Sequence, residues 1–269
     1  MSVRSIVVEG QRAWEKHYDA RGKGARRFRR RALDLVARRL DIGPLRPPPH
    51  PVGAQAKQVE ARRLRELRAL GIRIPEILGE TDDRLRLSDL GHKLASRLRA
   101  AKDDPAAVDA LASAAIAAIA EAHRRGAYFG QPLPRNIAVG EEGIGFFDFE
   151  EDPLEVMTLE QAQARDWLLF VHGMAKYYAT RPDALAQLLS STLHGEPGEV
   201  SRQVHRVGER LGNFARVIRW LGQSARSLAN SIFIAYAATT WSVVVALLAI
   251  DFIADGEFDL LHAILGQTY

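Results

Sequence analysis

Two residues with metal-binding chemistry lie twelve positions apart in the middle of the chain. Asn136 begins a predicted strand after a loop with two prolines, and Asp148 directly follows the next predicted strand. The residues between these strands, 140–143, read Gly-Glu-Glu-Gly and are typical of a tight turn. Such a hairpin brings the amide and the carboxylate into one cleft. Oxygen ligands of these types suit a hydrated Mg²⁺ ion, which can bridge the phosphates of a nucleotide.

Further motifs surround these two residues. They are His-x-x-Gly at 123–126, Pro-x-Asn at 134–136, Asp-Phe at 148–149, and Asp166 on the next predicted helix. This order resembles protein kinases, in which the catalytic loop ends in asparagine and a second metal-binding aspartate precedes phenylalanine. It is most similar to small atypical bacterial kinases of the lipopolysaccharide (Kdo/heptose) kinase type and to the compact kinase of the tRNA threonylcarbamoyl-adenosine complex. The resemblance extends over about residues 5 to 180.

The resemblance implies nucleotide-binding roles in the first part of the chain. Lys16 lies on the second strand of a predicted hairpin, where a kinase lysine would contact the phosphates of ATP. Glu60, on a predicted amphipathic helix, would form an ion pair with that lysine, and Glu66 is a rival on the same helix. The segment 87–91, which includes Asp89, would be a hinge whose backbone contacts adenine. An ordinary surface lysine is the alternative for Lys16.

The resemblance also implies roles in the second part of the chain. Asn136 and Asp148 would bind Mg²⁺, and Asp166 would brace the catalytic loop from below. His123, near a helix end, is interpreted as a structural cap or loop brace rather than as a base. Gln131 stands five residues before Asn136, at the position of the catalytic aspartate. Glutamine can orient a hydroxyl by hydrogen bonding, but it cannot accept a proton as a carboxylate does.

Two other positions depart from the kinase pattern. Residues 7–11 contain one glycine where a glycine-rich phosphate loop is expected, and Glu150 replaces the glycine of the metal motif. The acidic run 150–152 has three interpretations: a second metal site, a displaced base or an exposed acidic turn. Two functions stay open. One is an ATP-dependent kinase, of the serine/threonine protein kinase type or acting on a membrane-associated or lipopolysaccharide acceptor; the other is a nucleotide-binding pseudokinase with a regulatory or scaffold role.

Side-chain periodicity predicts the elements that must position these residues. A hairpin is predicted over 5–18, and the proline-rich segment 44–51 is interpreted as a stiff loop within the domain. The predicted helices are 29–40, 56–70, 106–125 and most of the chain after 159, and the predicted strands are 72–78, 84–87, 137–139 and 144–147. Strands followed by helices indicate an α+β fold. The resemblance implies two lobes: a β-rich N-lobe, 1–90, and a helical C-lobe with extra C-terminal helices, 91–269.

Composition excludes some chemistry and indicates an anionic partner. The 269-residue chain has no cysteine, which excludes disulfides, thiolate zinc sites and cysteine nucleophiles. Its start lacks the apolar run of a signal peptide, which favours a cytoplasmic location. The net charge of +4 is uneven, with arginines clustered at 26–31 and 62–68. These clusters favour a nucleotide, an anionic membrane surface or a nucleic acid such as RNA as partner, and a solvated helix face is the alternative.

One segment near the C-terminus predicts membrane contact. Residues 228–250 form 23 positions without a charge, which is long enough for a single transmembrane helix. Arg216, Arg219 and Arg226 precede the segment, which would leave the amino-terminal part at the cytoplasmic face. Association with the inner membrane surface is a second interpretation, and burial as a helix of the larger lobe is the third.

Overall fold

The fold is mixed α+β, as predicted, in a computed structural model that describes residues 2–18, 34, 37–38, 41–196 and 198–219. The strands are β1 (Ser2–Val8), β2 (Gln11–His17), β3 (Ile77–Glu80), β4 (Arg84–Ser88), β5 (His92–Lys93), β6 (Ile137–Gly140) and β7 (Gly143–Phe146). The helices are α1 (Ala54–Ala69), α2 (Leu94–Ala100), α3 (Pro105–Arg124), α4 (Leu159–Ala175), α5 (Pro182–His194) and α6 (Gly198–Arg219). Single 3-10 turns occupy Gly43–Leu45, Pro134–Asn136 and Pro153–Glu155.

The amino-terminal sheet has the strand order β1-β2-β4-β3, and every pairing in it is antiparallel. β1 and β2 form the predicted hairpin, and its two turn residues, Glu9 and Gly10, have φ angles of 51° and 79°. Two-residue hairpin turns with positive φ at both positions match the twist of the strands, and glycine adopts this conformation without strain. The register pairs Lys16 of β2 with Leu85 of β4, so Lys16 lies on an inner strand.

Helix α1 covers one face of this sheet. Its Leu64 and Leu67 are buried in the same apolar cluster as Leu85 and Leu87 of β4. Leucines three apart lie on one side of a helix, and alternate residues of a strand lie on one side of a sheet. Full burial of each leucine side chain stabilises the fold by about 1.5–3 kcal/mol. This packing holds α1 against the strand that is paired with Lys16.

The predicted strand over 72–78 is wrong in its first part, because β3 begins only at Ile77. Pro75 has no backbone N–H to donate to a neighbouring strand. The amide of Ile72 donates instead to the carbonyl of Leu67 at 3.0 Å, as a closing bond at the end of α1. Ile72 is nevertheless buried, so its apolar side chain serves core packing rather than strand pairing. The sequence pattern also fails to predict β5 and α2.

A second sheet, ordered β5-β6-β7, joins the first sheet to the helices. β6 and β7 confirm the predicted hairpin, with Ile137 opposite Phe146. Phe146 lies in the main apolar cluster with Ile119 of α3 and Trp167 of α4. Gly173 of α4 lies directly against the ring of Pro134, where a side chain would have no room. The hairpin and the loop before it are therefore fixed against the helical core.

Among the described residues, one helix, α3, is long and apolar enough by length and composition to span a membrane. Its Ile116 and Ile119 are buried in the main apolar cluster. The segment 228–250, for which a membrane helix is predicted, lies outside the described residues, as do the arginine cluster 26–31 and most of the predicted helix 29–40.

Candidate functional site

Lys16 is buried at the centre of a group of carboxylates. Its Nζ lies 2.8 Å from both oxygens of Glu60 and 2.9 Å from Oδ1 of Asp148. The same nitrogen lies 3.3 Å from Oε1 of Glu150. Burial alone would lower the pKa of Lys16, but Glu60, Asp148 and Glu150 raise it above its ordinary value. Lys16 is therefore buried and held by three carboxylates, and the surface-lysine alternative is wrong.

Helix α1 supplies the carboxylate that pairs with Lys16. Glu60 is fully buried and accepts a further hydrogen bond from the Tyr18 hydroxyl at 2.5 Å. Glu66, two turns later, has an exposed side chain and accepts from Arg63 Nη1 at 2.6 Å. The structure thus places Glu60 at the lysine and Glu66 away from it.

Arginines of α1 hold the helix in this position. Arg63 Nη2 donates to the backbone carbonyl of Tyr128 at 2.7 Å. The guanidinium carbon of Arg63 lies 3.7 Å from the centre of the Tyr128 ring. Arg62 Nη2 donates to Asp152 Oδ2 at 2.8 Å, and the Tyr128 hydroxyl donates to Asp152 Oδ1 at 2.7 Å. These contacts connect α1 to the segment after α3 and to the acidic run. They fix the rotation of α1 that directs Glu60 at the lysine.

The β6–β7 hairpin brings Asn136 and Asp148 to the same end of the second sheet. The amide of Phe147 donates to the carbonyl of Asn136 at 3.1 Å, directly beyond the Ile137–Phe146 pair. Asn136 Nδ2 donates to the carbonyl of Gln131 at 3.1 Å, which leaves Oδ1 as the acceptor on that side chain. Asp148 has a φ of 77°, a left-handed conformation that is uncommon outside glycine and clusters at functional sites.

The electrostatic environment separates the two acids that follow β7. Burial raises the pKa of Asp148, but Lys16 and Arg135 more than reverse this, so its pKa lies below the ordinary value. Burial raises the pKa of Glu150 above its ordinary value, and Asp148 and Glu60 add to the rise while Lys16 opposes it. Glu150 Oε1 is buried and makes no hydrogen bond within the described part of the chain. Asp148 therefore keeps its negative charge to a lower pH than Glu150 does.

Three carboxylates at this site offer oxygens to a divalent cation. Single oxygens of Glu60, Asp148 and Glu150 lie within 4.8 Å of one another. The donor set is all oxygen, which suits Mg²⁺, and a cation would satisfy the buried Glu150 Oε1. The chemistry of these three carboxylates suits a divalent cation, and binding of Mg²⁺ by Asn136 and Asp148 stays a prediction.

The acidic run 150–152 is not an exposed turn, so that interpretation is wrong. The side chains of Glu151 and Asp152 are 9% and 5% exposed, and that of Glu150 is 18% exposed. Their contacts diverge: Glu150 faces Lys16, Asp152 faces α1, and Glu151 faces Gln131. A buried charge is costly unless it is paired, and the contacts of Glu151 and Asp152 supply that pairing.

Gln131 belongs to a short polar chain of residues. Its Nε2 donates to Glu151 Oε2 at 3.2 Å, and Nδ1 of His50 lies 2.9 Å from Glu151 Oε1. Because a carboxylate only accepts hydrogen bonds, these contacts require an N–H on both partners. His50 comes from the proline-rich loop that the sequence predicts, and nothing in the local sequence indicates its contact with Glu151.

Asp166 lies under the loop that contains Gln131. It is fully buried, and its two oxygens accept the backbone amides of Phe129 and Gly130, both at 2.6 Å. Oδ2 also lies 3.3 Å from Nε2 of His123. The φ of Gly130 is 85°, a conformation that favours glycine. Asp166 therefore links α4 to the backbone of this loop.

His123 lies between two buried carboxylates. Its Nε2 faces Asp166, and its Nδ1 lies 3.1 Å from Glu196 Oε1, which also accepts from the Trp167 indole at 3.0 Å. Burial lowers the pKa of His123, but the hydrogen bonds to Asp166 and Glu196 outweigh it and the pKa is raised. A protonated ring that donates from both nitrogens satisfies this arrangement. Glu196 lies 73 residues beyond His123, so only the tertiary structure identifies the pair.

The segment 87–91 connects β4 to β5. The carboxylate of Asp89 accepts from the Trp14 indole of β2 at 2.7 Å. The carbonyl of Leu90 accepts from Arg73 Nη2 at 3.2 Å. The segment is thereby fixed to β2 on one side and to the residues before β3 on the other. Contact of its backbone with adenine stays a prediction.

His172 of α4 is expected to make stability fall in acid. Burial is the largest cause that lowers its pKa to about 4, and Arg135 and Lys176 lower it further. Its Nδ1 is buried without a hydrogen bond in the part of the chain that the structure describes. The unfolded chain, with a histidine pKa of about 6.5, binds the proton first, so stability is full above about pH 6.5 and decreases toward pH 4, by up to roughly 3 kcal/mol.

Urea unfolding of the wild type and of His172→Asn at pH 7 and pH 4 measures this effect. The stability difference between the two proteins should shift by up to roughly 3 kcal/mol in favour of the variant on acidification. Other acids titrate equally in both proteins, so they cancel in the comparison. Parallel stability curves would show that His172 does not titrate in this way.

Comparisons with known proteins assign no family to the chain. No protein-family model matches the sequence. The search of curated proteins also finds no match.

Proposed function

We propose that the chain has a two-lobed protein-kinase-like fold that binds ATP with Mg²⁺ and transfers the terminal phosphoryl group. The arrangement of Lys16, Glu60 and Asp148 carries this proposal. The strand lysine lies within 3 Å of both the helix glutamate and the acid after the β-hairpin, although the three residues are far apart in sequence. Phosphoryl transfer depends mainly on positioning and charge neutralisation, and these are the residue types that supply both.

Each residue has a distinct role in the proposal. Lys16 contacts the phosphates of ATP, and Glu60 orients Lys16 through its bidentate contact. Asn136 Oδ1, the Asp148 carboxylate and Glu150 are the oxygen ligands for Mg²⁺. When bound, Mg²⁺ neutralises phosphate charge and orients the leaving group.

Two other contacts position the loop before Gln131 and the connection between β4 and β5. Asp166 holds the loop at Phe129 and Gly130, so that Gln131 faces the acceptor. The Asp89 contact with Trp14 holds the connection to which adenine binds.

A pseudokinase is the second candidate, and Gln131 is the observation that favours it. Glutamine cannot take the proton of the acceptor, and loss of general-base catalysis typically costs about 100- to 10,000-fold in rate. In a pseudokinase the same cleft would bind nucleotide and the protein would act as a regulatory or scaffold module. Nucleotide binding without phosphoryl transfer in the wild type separates this candidate from the first.

Calorimetric titration of the full chain with ATP and Mg²⁺ tests the proposal. We expect a dissociation constant between about 1 μM and 1 mM, within the usual range for enzyme substrates. Asp148→Ala should remove the dependence of binding on Mg²⁺, because Asp148 is the best-placed anion for the ion. Asp103→Ala, a change at an exposed position between α2 and α3, is the control and should bind like the wild type. A folded protein that does not bind millimolar nucleotide contradicts the proposal.

A further inference from the structure

The proposed function leaves one chemical role without a residue. Gln131 stands where a kinase has the aspartate that accepts the proton of the acceptor hydroxyl. The neighbours of Gln131 contain both an imidazole and a carboxylate. We propose that His50, oriented by Glu151, is the general base of this site, an inference that rests on the proposed phosphotransferase function.

Hydrogen bonds connect His50 to the predicted metal ligand. His50 contacts Glu151, Glu151 accepts from the side chain of Gln131, and the carbonyl of Gln131 accepts from Asn136. The three distances are 2.9, 3.2 and 3.1 Å. Two residues, Glu151 and Gln131, thus link His50 to Asn136, although His50 and Asn136 are 86 positions apart in sequence. In the proposal the imidazole lies on the acceptor side of Gln131.

The contact with Glu151 selects the form of His50 that can act as a base. The carboxylate accepts from Nδ1–H, so a neutral ring presents Nε2 as its acceptor atom. A carboxylate that holds Nδ1 and stabilises the imidazolium is the arrangement used by histidine bases in acyl transfer. Pro49 and Pro51 flank His50 and restrict the backbone on both sides. Glu151 is therefore a positioning residue, and His50 is the catalytic one.

A cavity beside His50 has space for the acceptor. Its volume is about 630 Å³, and its walls include Gln55, Gln58, Arg62 and Glu155. These amide and charged groups suit a polar acceptor that carries a hydroxyl group. Among the described residues, the charged groups near His50 are Glu151, which contacts Nδ1, and Arg62 and Glu155 in the cavity wall. The side chain of His50 is 31% exposed and lines the cavity, and in the proposal its Nε2 faces the acceptor there.

In the proposed phosphoryl transfer, His50 acts as the base. His50 Nε2 takes the proton from the acceptor hydroxyl, and the acceptor oxygen forms a bond to the γ-phosphorus of ATP. The bond from that phosphorus to the oxygen it shares with the β-phosphate breaks, and ADP leaves with the electron pair. The proton passes from His50 to solvent. Water in the place of the acceptor gives ATP hydrolysis, which supplies an assay that needs no identified acceptor.

Steady-state hydrolysis of ATP with Mg²⁺ by the full chain tests the inference. His50→Ala should lower kcat by about 100- to 10,000-fold, and its affinity for ATP should stay close to that of the wild type. Added imidazole should restore part of kcat in His50→Ala and leave the wild type unaffected, which a merely structural role would not produce. Glu151→Gln should lower kcat with no imidazole rescue. His205→Ala, at an exposed position on α6, is the control.

The outcomes separate this inference from the proposed function. An unchanged kcat in His50→Ala, or a lowered kcat without rescue by imidazole, overturns the base role. His50→Gln repeats the test if the alanine variant is unstable. A wild type that binds ATP with Mg²⁺ but does not hydrolyse it also overturns the base role while nucleotide binding stands. A wild type that does not bind ATP overturns the proposed function itself.

Discussion

Lys16→Met is expected to lower the turnover of ATP by about 100- to 1,000-fold, the range found when one preorganised charge-stabilising donor is removed. The change keeps the length of the side chain and removes the charge that faces Glu60, Asp148 and Glu150. It also leaves three carboxylates without their shared cation, and removing one partner of a buried ion pair costs about 3–5 kcal/mol. The variant should therefore lose both turnover and stability.

Lys57→Met is the matched control for this change. Lys57 is buried like Lys16, but it lies on α1 and pairs with Glu80 at 3.0 Å and with the carbonyl of Thr81 at 2.6 Å. Phosphate release and urea unfolding measure the two effects. Lys57→Met should lose stability and keep the kcat of the wild type. Equal kcat values in Lys16→Met and the wild type would exclude Lys16 from the reaction.

The stability deficit of Lys16→Met should decrease in acid. The pKa of Glu150 already lies above its ordinary value, and loss of the lysine removes the contact that opposes this rise. A group with a raised pKa in the folded state binds its proton before the unfolded chain does, so acidification stabilises the fold. Urea unfolding of the wild type and of Lys16→Met at pH 7 and at pH 5 measures whether the difference between their free energies of unfolding decreases in acid.

Asp166→Ala is expected to lower the free energy of unfolding by about 3–5 kcal/mol, the range for removing one partner of a buried charged network. The change leaves the amides of Phe129 and Gly130 without their acceptor in the protein interior, and an orphaned buried donor is costly. It also removes one of the two carboxylates that face the buried ring of His123.

Asp109→Ala is the control for the loss of a carboxylate at a more exposed place. Asp109 pairs with Arg181 at 3.0 Å and accepts from Tyr178, and both members of the ion pair have side chains that are one-third exposed. Ion pairs with this solvent access contribute about 0–1 kcal/mol. Urea unfolding should therefore separate the two variants by at least roughly 2 kcal/mol. Losses of equal size would contradict the bracing role of Asp166.

The helices and hairpins that hold the site could be predicted from periodicity and turn residues. The 56–70 helix and the hairpin around 140–143 are confirmed because local pattern and tertiary packing agree there. The first part of the predicted strand over 72–78 is wrong because its apolar residues pack in the core while Pro75 prevents strand pairing. The choice between Glu60 and Glu66 depends on the rotation of α1, which the arginine contacts set.

The contacts of the acidic run could not be predicted, since each partner is distant in sequence. His50 and Glu151 are 101 residues apart, and Arg62 and Asp152 are 90 residues apart. A run of three acids is common at exposed turns, and only the tertiary structure distinguishes a buried run from an exposed one. Because Glu151 is buried, it contacts both Gln131, which has no carboxylate, and His50, which has an imidazole.

A crystal structure of the full chain with a non-hydrolysable ATP analogue and Mg²⁺ tests the central proposal most directly. We expect Lys16 Nζ to form a hydrogen bond with a phosphate oxygen while its contact with Glu60 is kept. We also expect Mg²⁺ at about 2.1 Å from oxygens of Asn136 and Asp148. An analogue bound elsewhere on the protein, or Mg²⁺ bound without Asp148, would contradict the account.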